Sequence, residues 1–165
     1  MHQKINKILA CIDFSEYSQM VLEYAVSLSK CADAEILIYN VINQIEVAGA
    51  EKASRYYQGE FGNGISAEDY VNSLKKERDD KLNQFIMDHF FDEKSKVTTK
   101  IDTGVPFECI LKTIETEGID LVVMANKGRS NIARVLFGTA AEKVFRHSPV
   151  PVFSVRDKER FTRQK

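Results

Sequence analysis

Four apolar residues in succession, Leu121 to Met124, precede a segment reading ANKGRSNIARVLFGT, and this pairing constrains the chain more than any other feature. An unbroken apolar run fits a strand covered on both faces, as strands of parallel sheets are. The following segment carries Gly128 and the cationic Arg129. Nine residues separate Gly128 from Gly138, and Thr139 then opens a helical pattern. A glycine-bearing loop between strand and helix presents backbone N–H groups. Together with the helix dipole these favour an anion such as phosphate. Nucleotide binding is therefore indicated more strongly than catalysis.

The strand-then-helix pattern recurs along the chain. Residues 8–12 are apolar between Lys7 and Asp13, and 36–42 give a second strand. Ser15 can cap a helix carrying Tyr17, Met20, Val21, Tyr24, Ala25 and Leu28 at amphipathic spacing. Residues 43–65 lack a clear period and hold Gly59, Gly62 and Gly64, so a long mobile connection is expected. Ser66 and Asp69 resemble a capping box. They open a long helix with Tyr70, Val71, Leu74, Leu82, Phe85, Ile86 and Phe90 on its apolar side, and the charged residues 77–81 are expected on its solvated face.

Val97, Thr99 and Ile101 alternate with polar residues, as in a more exposed strand near a sheet edge. Pro106 suits the first turn of a helix with Phe107, Ile110, Leu111 and Ile114 as its stripe, and Gly118 suits its end. Residues 119–125 form the next strand. Residues 138–147 form a short helix with Ala141, Val144 and Phe145 as core candidates. The last strand runs from Val150 to Val155. This alternation predicts a three-layer α/β fold with an open, mainly parallel five-stranded sheet. Ligands of such sheets sit beyond the carboxyl ends of the strands, where strand order reverses. Asp13, Val41 and Ala125 occupy such ends.

The bulk properties exclude several classes. The 165 residues fit one domain, expected over 1–157 with a charged tail at 158–165. A net charge of -1 offers no field for nucleic acid or an acidic membrane. No run reaches transmembrane length, and the N-terminal apolar run reads as a strand rather than a signal peptide. Cys11, Cys31 and Cys109 are scattered and odd in number, which suggests neither a disulfide framework nor a zinc site and fits the reducing cytoplasm. His2, His89 and His147 share no metal-ligand spacing. No pairing of nucleophile and base is recognisable, so no catalytic residue is assigned.

At the level of whole segments, KILACIDFSEYSQMVLEYAVSLSKCADAEILIYNVI and GIDLVVMANKGRSNIARVLFGTAAEKVFRHSPVPVFSVR resemble the two halves of a universal stress protein. Asp13 at a strand end, the Gly-x9-Gly-Thr spacing and the closing HSPVPVFSVR strand carry the resemblance jointly. It implies an adenine nucleotide alpha hydrolase-like sheet of strand order 3-2-1-4-5. It also implies ATP, with or without Mg2+, at the junction of the first and fourth strands, and a homodimer formed by antiparallel pairing of the strand from Val150 to Val155.

The nucleotide-binding members of that family carry Gly-x2-Gly-x9-Gly-Ser/Thr. Gly128, Gly138 and Thr139 match, and Ala125 stands at the first glycine. A site that needs only a small side chain there accepts the extra methyl; one that needs a left-handed backbone does not. By the same correspondence Asp13 contacts the adenosine, the Val41 backbone meets the adenine, and Ile12, Met124 and Ala140 line the cleft. Lys127 and Arg129 are phosphate candidates. Each residue also has a plainer role: Asp13 as a turn former, the glycines as turn or helix-start residues, Thr139 as a cap, and Lys127 and Arg129 as surface charges. The reading that follows is a cytoplasmic ATP-binding sensor or regulator. Its alternatives are a nucleotide-free dimeric interaction module of the same family and, more remotely, an adenylyl-transfer enzyme, for which CIDFSEYS lacks the usual glycines.

Overall fold

The computed structural model describes residues 4–61, 66–126 and 138–156. Elements follow in the order β1 (Lys7–Cys11), α1 (Ser18–Ala32), β2 (Glu35–Asn43), α2 (Gln44–Phe61), α3 (Ala67–His89), a 3-10 turn (Phe91–Lys96), β3 (Val97–Gly104), α4 (Pro106–Thr116), β4 (Leu121–Ala125), α5 (Thr139–His147) and β5 (Val152–Val155). All five strands are parallel and lie in the order β3-β2-β1-β4-β5. The apolar runs of β1, β2 and β4 are central, and the alternating β3 is an edge, as its pattern requires.

Side-chain alternation splits the core across the sheet. Ile8, Ala10, Ile36 and Ile38 face α1 and α3, packing with Val21, Leu22, Ala25, Leu82 and Ile86. Leu9, Leu37, Tyr39 and Met124 face α4 and α5, packing with Ile110, Ile114, Ala141 and Val144. Pro106 sits in the first turn of α4, and Gly118 takes φ +63 just beyond its end. The Ser66 Oγ accepts the Asp69 N–H at 3.0 Å and donates to the Asp69 carboxylate at 2.7 Å.

Several expectations are corrected. Residues 44–61 form the helix α2, packed on α3 and the end of β2, where a mobile connection is expected from sequence. Ser15 does not cap α1. It lies in the preceding turn, where its carbonyl accepts the Ser18 N–H. Phe145 and Tyr24 are exposed, because α5 and α1 turn those positions away from the core. Within 77–81, Arg78 is buried while its neighbours are exposed.

Candidate functional site

β1 connects to β2 on one side and is paired with β4 on the other, so the strand order reverses at the β1/β4 boundary. Beyond the carboxyl ends of these strands lies a cavity of about 320 Å³. Ile12 and Asp13 from the end of β1, Val41 from β2, Met124 and Ala125 from β4, and Gly138, Thr139 and Ala140 from the start of α5 all line it. The structure thus brings together eight of the residues singled out from sequence. Lys127, Gly128 and Arg129 lie outside the described residues, as does the tail beyond residue 156.

Local chemistry explains each placement. The Ile12 N–H donates to the Tyr39 carbonyl at 2.9 Å and extends the β1/β2 ladder by one step. The chain then turns. Asp13 Oδ1 accepts the Ser15 N–H at 3.0 Å, an Asx turn that fixes its carboxylate at the cavity edge. Phe14 takes φ +59, a left-handed angle uncommon for a residue with a Cβ. Ala125 pairs with Val155 inside β4 and takes no positive φ.

On the far side, the Gly138 N–H donates to the Asn126 carbonyl at 2.8 Å, which ties together the two ends of the segment 127–137. Gly138 itself has φ -65 and ψ 148, angles open to any residue. Backbone freedom therefore does not require a glycine at this position. The first N–H groups of α5 have no acceptor within the helix and lie at the cavity wall, where the positive end of the helix dipole favours an anion. α4 also begins at this cavity, with Pro106 in its wall.

The matching family pattern, described as the Universal stress protein family, spans residues 4–156. The chain belongs to the universal stress protein family. Universal stress protein MJ0577 of Methanocaldococcus jannaschii is 31% identical over 156 residues, covering 92% of this chain and 95% of that one. The solved structure of MJ0577 superposes with a TM-score of 0.76 at 26% identity, covering 94% and 99% of the two chains. The fold is shared with a family member from Arabidopsis thaliana solved with AMP bound, at TM-score 0.59, 16% identity and coverage of 96% and 97%. It is shared too with a universal stress protein solved in complex with cAMP, at TM-score 0.55, 16% identity and coverage of 93% and 98%.

In this universal stress protein the cavity also has residues that the motif does not name. Arg78 of α3, Asn40 and Asn43 of β2, and Glu46 of α2 line it. Arg78 Nη1 donates to Asn40 Oδ1 at 2.7 Å, and Nη2 donates to both Glu46 oxygens at 3.0 and 3.1 Å. Two signals mark these residues in the sequence. Arg78 falls four residues after Leu74 and four before Leu82, on the buried stripe of α3. Asn40 interrupts an apolar run, and a buried amide demands partners.

Among the described residues, Cys11 is the thiol in the cavity wall. It is half-buried there, and burial pushes its thiol up to about 12, so it stays protonated at neutral pH. Burial likewise raises Cys109, while Cys31 is exposed. Burial and a hydrogen bond to Asp102 hold the Tyr39 phenol well above its usual value. Among the described residues no three His, Cys, Asp or Glu side chains group to hold a metal, and no helix is long and apolar enough to cross a membrane.

Proposed function

We propose that this universal stress protein binds an adenine nucleotide, ATP in its full form, at the carboxyl edge of the sheet. Occupancy of that site would serve as its stress-response signal. The observation that carries this reading is the convergence of Asp13, Val41 and the α5 start on one cavity at the strand reversal. Its volume of about 320 Å³ falls within the range usual for small-molecule sites. AMP and cAMP in the two structural relatives point to the same ligand class.

Each part of the nucleotide has a suitable surface. The Asp13 carboxylate offers an acceptor to the ribose hydroxyls. The Val41 backbone offers hydrogen bonds to the adenine edge, with Ile12 and Met124 as apolar walls. The N–H groups at Thr139 and Ala140 suit phosphates, with Gly128 assigned to the same end by the motif and Lys127 and Arg129 offered there as neighbouring cations. Any Mg2+ would enter on the phosphates, whose oxygens supply most of its preferred ligands. We assign the protein to the cytoplasm, where three free thiols persist, and to a homodimer through the closing strand. No protein residue is assigned to hydrolysis.

The test is calorimetry of the purified protein with ATP, together with mass spectrometry of nucleotide released on denaturation. Gly138→Val keeps an accessible backbone conformation but fills the space a phosphate would need. It should remain folded and lose ATP binding. Unchanged affinity in that folded variant would refute the phosphate assignment, and a wild-type protein that neither carries nor binds nucleotide would favour the interaction-module alternative.

A further inference from the structure

One buried cation links β2, the first turn of α2 and the turn after β1 at the β2 side of the cavity. Arg78 is 5% exposed. Its Nη1 donates to Asn40 Oδ1 at 2.7 Å and, more loosely, to the Val41 carbonyl at 3.4 Å. Asn40 in turn donates from Nδ2 to the Ile12 carbonyl at 2.8 Å, so both ends of its amide are used. The guanidinium also lies 6.0 Å from the centre of the Phe14 ring, next to Asp13. Its Nη2 reaches both oxygens of Glu46 in the first turn of α2. The ends of β1 and β2 and the start of α2 are therefore joined through one side chain of α3.

This junction lies away from the α5 start. β1 separates β2 from β4, and each strand step is about 4.8 Å. A nucleotide laid across the cavity would place its base on the β2 side and its phosphates toward α5. A buried guanidinium requires its partner: without Glu46 its charge stays uncompensated, or the packing opens and admits water. A base seated against Val41 would exclude water from the Glu46 side of the pair, and lower local polarity strengthens the ionic contact.

We propose that the Arg78–Glu46 pair couples the base end of the cavity to α2, so that a bound base holds the first turns of α2 in place. The proposal rests on the nucleotide reading above. Arg78 and Glu46 act here as positioning residues, and α2 is the surface through which occupancy is reported. Because binding linkage is reciprocal, docking of α2 and binding of the base favour each other by the same factor.

Amide hydrogen exchange across residues 44–53 tests the coupling in the full-length protein, with calorimetry run alongside. ATP and adenosine should each slow exchange there by about fivefold or more, the lower end of typical coupling factors. Tripolyphosphate, confined to the α5 side, should leave α2 unchanged. Glu46→Ala should abolish the protection and weaken ATP and adenosine by that same factor. Glu46→Gln, which keeps an acceptor, should restore part of both. Melting temperatures identify a variant that is folded, and Glu46 is preferred to Arg78 for substitution because it is only partly buried. ATP bound by the wild type with α2 exchange unchanged would overturn the proposal, as would full protection in folded Glu46→Ala. A wild type that binds neither ATP nor adenosine would remove the nucleotide reading itself, and calorimetry distinguishes that outcome.

Discussion

Ala125 sits at the end of β4 in ordinary extended geometry, paired with Val155, where it lines the cavity and packs against the core on the α1 face. A glycine there would gain no forbidden backbone angle and would vacate only one methyl. Ala125→Gly should therefore change ATP affinity by less than tenfold, or less than about 1.4 kcal/mol. A larger gain, measured by calorimetry, would show that the methyl obstructs the ligand. At this scale the site is partly legible in sequence. Strand ends and glycine spacing point to Asp13 and Gly138 because those signals are local, whereas Val41, expected at a strand end, lies two residues inside the end of β2 and is assigned through the family resemblance. The left-handed angle at Phe14 has no local signal, since any residue in CIDFSEYS could carry the turn. Arg78 is obscured by its company: Glu77, Asp79, Asp80 and Lys81 make the stretch look solvated. Only the four-residue step from Leu74 through Arg78 to Leu82 places the guanidinium inward.

At the scale of elements, α2 is the departure from what periodicity predicts. Its sequence QIEVAGAEKASRYYQGEF has a weak apolar stripe and two glycines, each of which lowers helix propensity. The helix forms because it can lie on α3 and the end of β2, and tertiary packing overrides propensity. A β-carbon at Gly49 would meet no atom within 4 Å. Gly49→Ala should consequently stabilise the protein by about 0.5–1 kcal/mol, read as a higher denaturant midpoint. A loss of stability would argue against the helix at that position.

On the opposite end of the sheet, Glu117 beyond α4 receives Lys100 of β3 at 2.9 Å and Lys7 of β1 at 3.2 Å. The Lys100 hydrogen bond, then that of Lys7, holds its carboxyl below the ordinary 4.5. A lowered folded value means that Glu117 contributes stability above the ordinary value and loses it as pH falls through the folded one. Between about pH 6 and pH 3, Glu117→Gln should show a shallower acid loss of stability than the wild type. Parallel curves from chemical denaturation at each pH would refute the contribution.

For the whole molecule, the layer arrangement and the central or edge placement of β1 to β4 are legible because the unbroken apolar runs belong to central strands and the alternating run to an edge, whereas the strand order is legible only through the family resemblance. The proposed assembly uses β5, which is the other edge. An edge strand exposes backbone groups that a second chain can pair, and an isologous contact would place two β5 strands antiparallel across a two-fold axis. The register decides which groups face outward. The Val122 N–H donates to the Pro151 carbonyl at 3.0 Å and the Asn126 N–H to the Val155 carbonyl at 3.2 Å. Since backbone direction alternates along a strand, the N–H groups of Phe153 and Val155 face β4, and those of Val152 and Ser154 face away. Proline at 153 would disrupt the protomer's own ladder, whereas proline at 154 removes an outward donor, the placement edge strands tolerate. Ser154→Pro should therefore preserve the fold and ATP binding while shifting the proposed dimer to monomer in light scattering at micromolar concentration. A wild-type monomer under those conditions would rule out the assembly, and a folded Ser154→Pro that remains dimeric would move the interface away from this edge.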